Sequence, residues 1–211
     1  TEIYTLSLHD ALPICPRQCS KIFNAGTARY DILHAALRKL KDMTLALLAL
    51  VLFAGLLIYA ACSDLASLTI PNWVSLVMAG AFPVFALAQG FGAAEIGMHF
   101  LFGFAVLAVG FFLFQVNIIG GGDAKLLAAA AVWTGLAAFT PFVFWTAVAG
   151  GVFALMLMVG RRYAAVFAAA PPFVYRLLTP KTGVPYGVAI MIGGLMAAPS
   201  MPVFIGALTL P

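Results

Sequence analysis

Residues 43–62 read "MTLALLALVLFAGLLIYAAC", twenty positions without a single charge. At about 1.5 Å rise per residue, such a run in helical form matches the roughly 30 Å hydrocarbon core of a bilayer. The rest of the chain agrees with it: of 211 residues, 64% are hydrophobic and 9% charged, and the mean hydropathy is +1.09. Soluble domains do not have this composition. The reading is an all-α, polytopic membrane protein in a lipid bilayer.

Further apolar runs suggest spans at Trp73–Gln89, Met98–Gln115, Ala124–Ala138, Pro141–Gly160 and Val184–Leu210, about six transmembrane helices in all. The last is expected to break near Pro199 and Pro202, because proline removes a backbone donor and clashes with the preceding turn. Residues 163–175, "YAAVFAAAPPFVY", are too short to span and carry a Pro-Pro break, so they read as interfacial.

The formal net charge is +4. The basic residues form no face and no aromatic-interleaved patch, which argues against a nucleic-acid partner. In a membrane protein such a surplus sets orientation. After Met43 the Lys and Arg residues are Lys125, Arg161, Arg162, Arg176 and Lys181, all in connections that share one side of a six-span chain. The positive-inside rule makes that side cytoplasmic and places both termini outside. The cysteines, Cys15, Cys19 and Cys62, are odd in number and contain no CxxC pair, so neither a disulfide framework nor a zinc site is supported.

Residues 1–42 differ in kind, being polar and mixed up to a sharp change at Met43. Their opening, "TEIYTLSLHDALPI", resembles translated sequencing-adapter DNA, so 1–42 is read as a non-native leader and excluded from fold reasoning. Arg38, Lys39 and Lys41 would also lie on the wrong side of the membrane. The competing reading is a genuine amphipathic cytoplasmic extension. His9 and His34, both in this segment, carry no functional weight.

After Met43 the acids are Asp64, Glu95 and Asp123 alone. An ionisable group at or below a membrane boundary is costly unless it meets water or a partner, which makes each a functional candidate. Glu95 lies in "GFGAAEIGMH" and reads as a solvated charge in an external loop; His99 beside it has no metal-spaced partners. Asp64, in "CSDLASLTIPNW", and Asp123, in "GGGDAKLL", both fall on the cytoplasmic side. Taken singly, each fits a helix N-cap as well as a functional role. Taken together they can share one proton, one acting as base toward a water that attacks a peptide carbonyl and the other as acid.

Gly120, Gly121 and Gly122 would permit positive φ or a close backbone approach, against which an extended substrate could lie. The GxxxxGK pattern of a phosphate loop is absent. Lys125 either pairs with Asp123 or snorkels to the headgroups, and snorkelling is the favoured reading.

At these residues the chain resembles the prepilin peptidases, the type IV leader peptidases, which are GxGD membrane aspartyl proteases. "SDLASLTIPNW" is similar to the family's first aspartate followed by Ile-Pro-Asn, "GGGDAKL" to its GxGDxKL, and "VPYGVAI", residues 184–190, to the stretch opening its last helix. The resemblance covers about Met43 to Leu210, so 43–211 is the expected membrane-embedded peptidase domain. It implies Asp64 and Asp123 as catalytic residues. Gly120, Gly122, Lys125, Pro71, Asn72, Pro185 and Gly187 follow as motif or substrate-backbone residues. It implies no cofactor and no metal, a prepilin substrate with a basic leader and an apolar helix, and a multi-pass place in the bacterial inner membrane with the active site facing the cytoplasm.

Two departures narrow the match. Only residues 63–72 separate the first two spans and no CxxC pair exists, so the chain resembles the short Tad or Flp pilus branch without the methylase domain. The first motif also lacks basic residues after its aspartate, having Leu65 to Thr69 there. The alternatives are a general intramembrane GxGD protease, whose expected tyrosine beside the first aspartate is replaced by Ser63 and Leu65, and a small non-enzymatic transporter or assembly protein, whose acids would be ion sites.

Overall fold

A computed structural model describes residues 16–162 and 185–205. All of its regular structure is helical: α1 (Pro16–Ser67), α2 (Asn72–Ala88), α3 (Ala93–Gln115), α4 (Gly121–Arg162) and α5 (Gly187–Ala197). Two 3-10 turns, Ala198–Ser200 and Pro202–Phe204, follow α5. The chain divides into two compact units, Thr1–Lys41 and Asp42–Pro211, and the second carries every residue of the candidate site.

Among the described residues three helical stretches are long and apolar enough to cross a membrane: Leu33–Ser67, Ala93–Gln115 and Gly121–Arg162. Two apolar helices are shorter, Asn72–Ala88 and Gly187–Ser200. The interfacial piece at 163–175 lies outside the described residues.

α4 is two helices joined at Gly135, whose φ of 55° and ψ of −169° are not helical. That combination is practically restricted to glycine. The expected break between Ala138 and Pro141 is therefore corrected to Gly135, and Pro141 sits inside the second arm. A straight helix of this length would reach about 63 Å, twice the hydrocarbon thickness. The neighbours of each arm show that the chain instead turns back.

The first arm runs antiparallel to α3: Gly110 packs against Ala124, Gly103 against Ala128 and Val132, and His99 against Gly135. The second arm returns along α5, with Phe142 and Thr146 beside Gly193 and Gly150 beside Ala189. α5 lies in turn along α1, Gly187 at Asp64 and Gly194 at Leu57 and Phe53. Asp64, Asp123 and the end of the second arm at Arg161 and Arg162 thus share one end of the body. Small residues at the crossings allow this approach in a bilayer, where packing rather than the hydrophobic effect draws helices together.

The core centres on Trp133, fully buried, whose Nε1–H donates to the Met78 carbonyl at 2.8 Å. Phe53 and Phe204 pack on its indole with ring centroids 5.3 and 5.6 Å away. An indole N–H needs a partner inside an apolar core, and this bond ties α2 to the first arm of α4.

The far end, at Gly135, is held by Glu95 and His99. α3 starts at Ala93, so Glu95 and His99 are helical. The Gly92 N–H donates to Glu95 Oε2 at 2.8 Å, half of a capping box. This corrects Glu95 from a loop charge to a helix cap. His99 Nδ1 donates to the Val132 carbonyl at 2.7 Å while its ring stacks on Phe82, centroids 4.8 Å apart. The last helix breaks at the prolines, as expected: α5 stops at Ala197, and the 3-10 turns containing Pro199 and Pro202 follow.

Candidate active site

α1 ends three residues after Asp64, at Ser67. Leu68 takes a φ of 55°, and its N–H returns to the Asp64 carbonyl at 2.8 Å, closing the last turn. The Ser63 hydroxyl donates to the Thr69 carbonyl at 2.9 Å and the Ser67 hydroxyl to the Ser63 carbonyl at 2.8 Å. These bonds satisfy backbone acceptors that a helix end leaves open. Pro71, φ −63° and ψ 134°, then fixes an extended residue and starts α2 at Asn72. Asp64 is therefore inside a helix near its C-terminus and is not an N-cap, which removes the capping explanation for it.

Asp64 is 5% exposed. Its Oδ2 accepts the backbone N–H of Gly187 at 2.7 Å. A Cβ at Gly187 would stand 2.9 Å from Asp64 Oδ2 and 3.0 Å from its Cβ, so only glycine allows the backbone this close. Pro185, also buried, precedes it in the turn that opens α5.

Asp123 lies in the first turn of α4 and accepts a hydrogen bond from the backbone of Gly120. It does so from the third helical position, as the acid of a capping box does, rather than as the N-cap itself. Asp64 and Asp123 are within electrostatic reach of each other. The acids thus come together from α1 and α4, each tethered by a glycine N–H. A pair so arranged can hold a single proton between like charges and do acid and base work on one water.

The three glycines are corrected in one respect. Among the described residues positive φ at glycine occurs at Gly90 and Gly135, not at 120–122, so no left-handed turn is involved at the three glycines. Close approach remains. A Cβ on Gly122 would be 3.2 Å from Ile70 Cβ, and one on Gly120 would be 2.8 Å from Asp123 Oδ2. Ile70 thereby brings the Ile-Pro-Asn stretch against the GxGD stretch.

Lys125 is exposed, and its Nζ donates to Asn72 Oδ1 at 2.9 Å, joining the start of α2 to the first turn of α4. Ile70 and the Ser63–Thr69 knot were missed in the sequence, where an apolar residue and common polar ones carry no signal. Among the described residues no three His, Cys, Asp or Glu side chains gather as a metal would require.

Fold and site together define a helical membrane protein with two acids held at one end of its body. A family model described as the type IV leader peptidase family matches residues 51–155, a stretch that includes both acids, and the chain belongs to that family. Membership makes it a leader-peptidase-like protease, a hydrolase. Searches of curated proteins and of solved structures returned no match.

Proposed function

We propose that this chain is a membrane aspartyl endopeptidase that removes the basic leader of a prepilin at the cytoplasmic face of the bacterial inner membrane. The observation that carries the reading is the convergence of Asp64 and Asp123, with Gly187 N–H on the first and Gly120 on the second. One carboxylate, ionised, takes a proton from water as the oxygen attacks the scissile carbonyl. The other, protonated, supports the developing oxyanion, and protonation of the leaving amine completes hydrolysis. Asp64 and Asp123 are the catalytic residues. Gly120, Gly122, Pro71, Pro185 and Gly187 shape the backbone around them, and the Lys125–Asn72 bond sets the neighbouring helix starts.

Counting α1, α2, α3, both arms of α4 and α5 gives six crossings. The acids, Lys125, Arg161 and Arg162 then share the cytoplasmic side. Residues 43–211 form the peptidase domain, and the short 63–72 connection favours the Tad or Flp branch without methylase activity. The test is incubation of the purified full chain in proteoliposomes with a prepilin carrying a basic leader. Mass spectrometry should find the free leader and a pilin beginning at the start of its apolar run. An intact prepilin after prolonged incubation with well-inserted protein contradicts the reading.

A further inference from the structure

A groove of about 500 Å³ lies between α2, α3 and the first arm of α4. Apolar side chains such as Leu76, Ala79, Phe100 and Phe104 form its walls, and no Asp or Glu lines it. Its polar residues are Asn72, Ser75 and Lys125. They are graded in depth: Asn72 and Lys125 mark one end, Ser75 follows one turn down α2, roughly 4.5 Å further along, and Ala79 another turn beyond. Ser75 is 9% exposed, and its buried hydroxyl has no hydrogen-bond partner. Such a group calls for an acceptor.

The groove is separate from the acids. Lys125 follows Asp123 by two positions, about 200° round the helix. Lys125, Ala128 and Val132 therefore line the groove while Asp123 turns toward Asp64. Lys125 Nζ has three donors and gives one to Asn72, which leaves two for an anion.

We propose that this groove is a binding site for one anionic phospholipid. The phosphate sits on Lys125 and the Asn72 amide, an ester carbonyl accepts from the Ser75 hydroxyl, and one acyl chain lies between α2 and α3. The order cation, hydroxyl, apolar wall repeats the order phosphate, ester, chain. Basic pockets between transmembrane helices suit anionic headgroups for the same reason. The inference does not depend on proteolysis.

The test uses the purified full chain in nanodiscs of phosphatidylcholine doped with a photoactivatable phosphatidylglycerol or, separately, its phosphatidylcholine counterpart, with labelled peptides mapped by mass spectrometry. The phosphatidylglycerol probe should label the Leu76 and Phe104 peptides about five-fold more than its counterpart, the factor expected from one lysine near an anionic surface. Lys125→Gln should erase that preference, and Ala79→Phe, which fills the groove, should erase both labels. The headgroup comparison needs only the unaltered protein, so a misfolded variant does not leave the question open. Equal labelling by the two probes overturns the proposal. So does displacement of the lipid label by added prepilin, which would assign the groove to the substrate helix.

Discussion

The backbone N–H of Gly187 reaches Asp64 Oδ2 at 2.7 Å across 123 positions of sequence. It fixes one oxygen of the carboxylate and leaves the other for chemistry. Gly187→Ala would put a methyl group 2.9 Å from that oxygen. We expect turnover to fall about a hundredfold, the scale of an ångström's misplacement of a reacting group. Membrane insertion, followed by protease protection, should persist. Undiminished cleavage by the variant would show that Asp64 needs no such tether.

Lys125 and Asn72 can be tested as a pair. Asn72→Ala and Lys125→Met, made singly and together, should show a coupling of about 0.5–1.5 kcal/mol in detergent unfolding, at the modest end for a charge-assisted bond because the pair is exposed. Strict additivity would mean that the 2.9 Å bond contributes nothing to holding α2 against α4.

Gly135 makes a different prediction, about the fold. Its φ of 55° disfavours any side chain, and a Cβ would lie 2.6 Å from the His99 ring. Gly135→Ala should lower stability by about 1–3 kcal/mol, the cost of a strained backbone residue, and release the His99 bond to Val132. Thermal unfolding in detergent measures it, and an unchanged midpoint would refute the account of the turn.

Legibility in the sequence followed charge. Met43–Cys62 stood out because it holds none, and Asp64 and Asp123 because so few acids follow it. Their meeting is not readable from spacing; it depends on Gly122 packing against Ile70, which sets the start of α4 beside the end of α1. The turn in α4 falls at Gly135 and not at Ala138–Pro141: proline advertises a break in the sequence, whereas nothing there marks Gly135 out among the chain's 20 glycines. Glu95 reads as a loop residue because its capping of the Gly92 N–H is a property of the folded helix end.

The central claim is that Asp64 and Asp123 act as one unit on one water. The most direct measurement is prepilin cleavage by the purified Asp64→Asn, Asp123→Asn and doubly substituted proteins, each verified as inserted. Each single substitution should abolish detectable turnover, with a loss of at least about a thousandfold, and the double should be no worse than either, because groups that work together are lost together. The unaltered protein should show a bell-shaped pH profile belonging to the pair. Robust cleavage by either single variant, free of contaminating peptidase, would contradict the account.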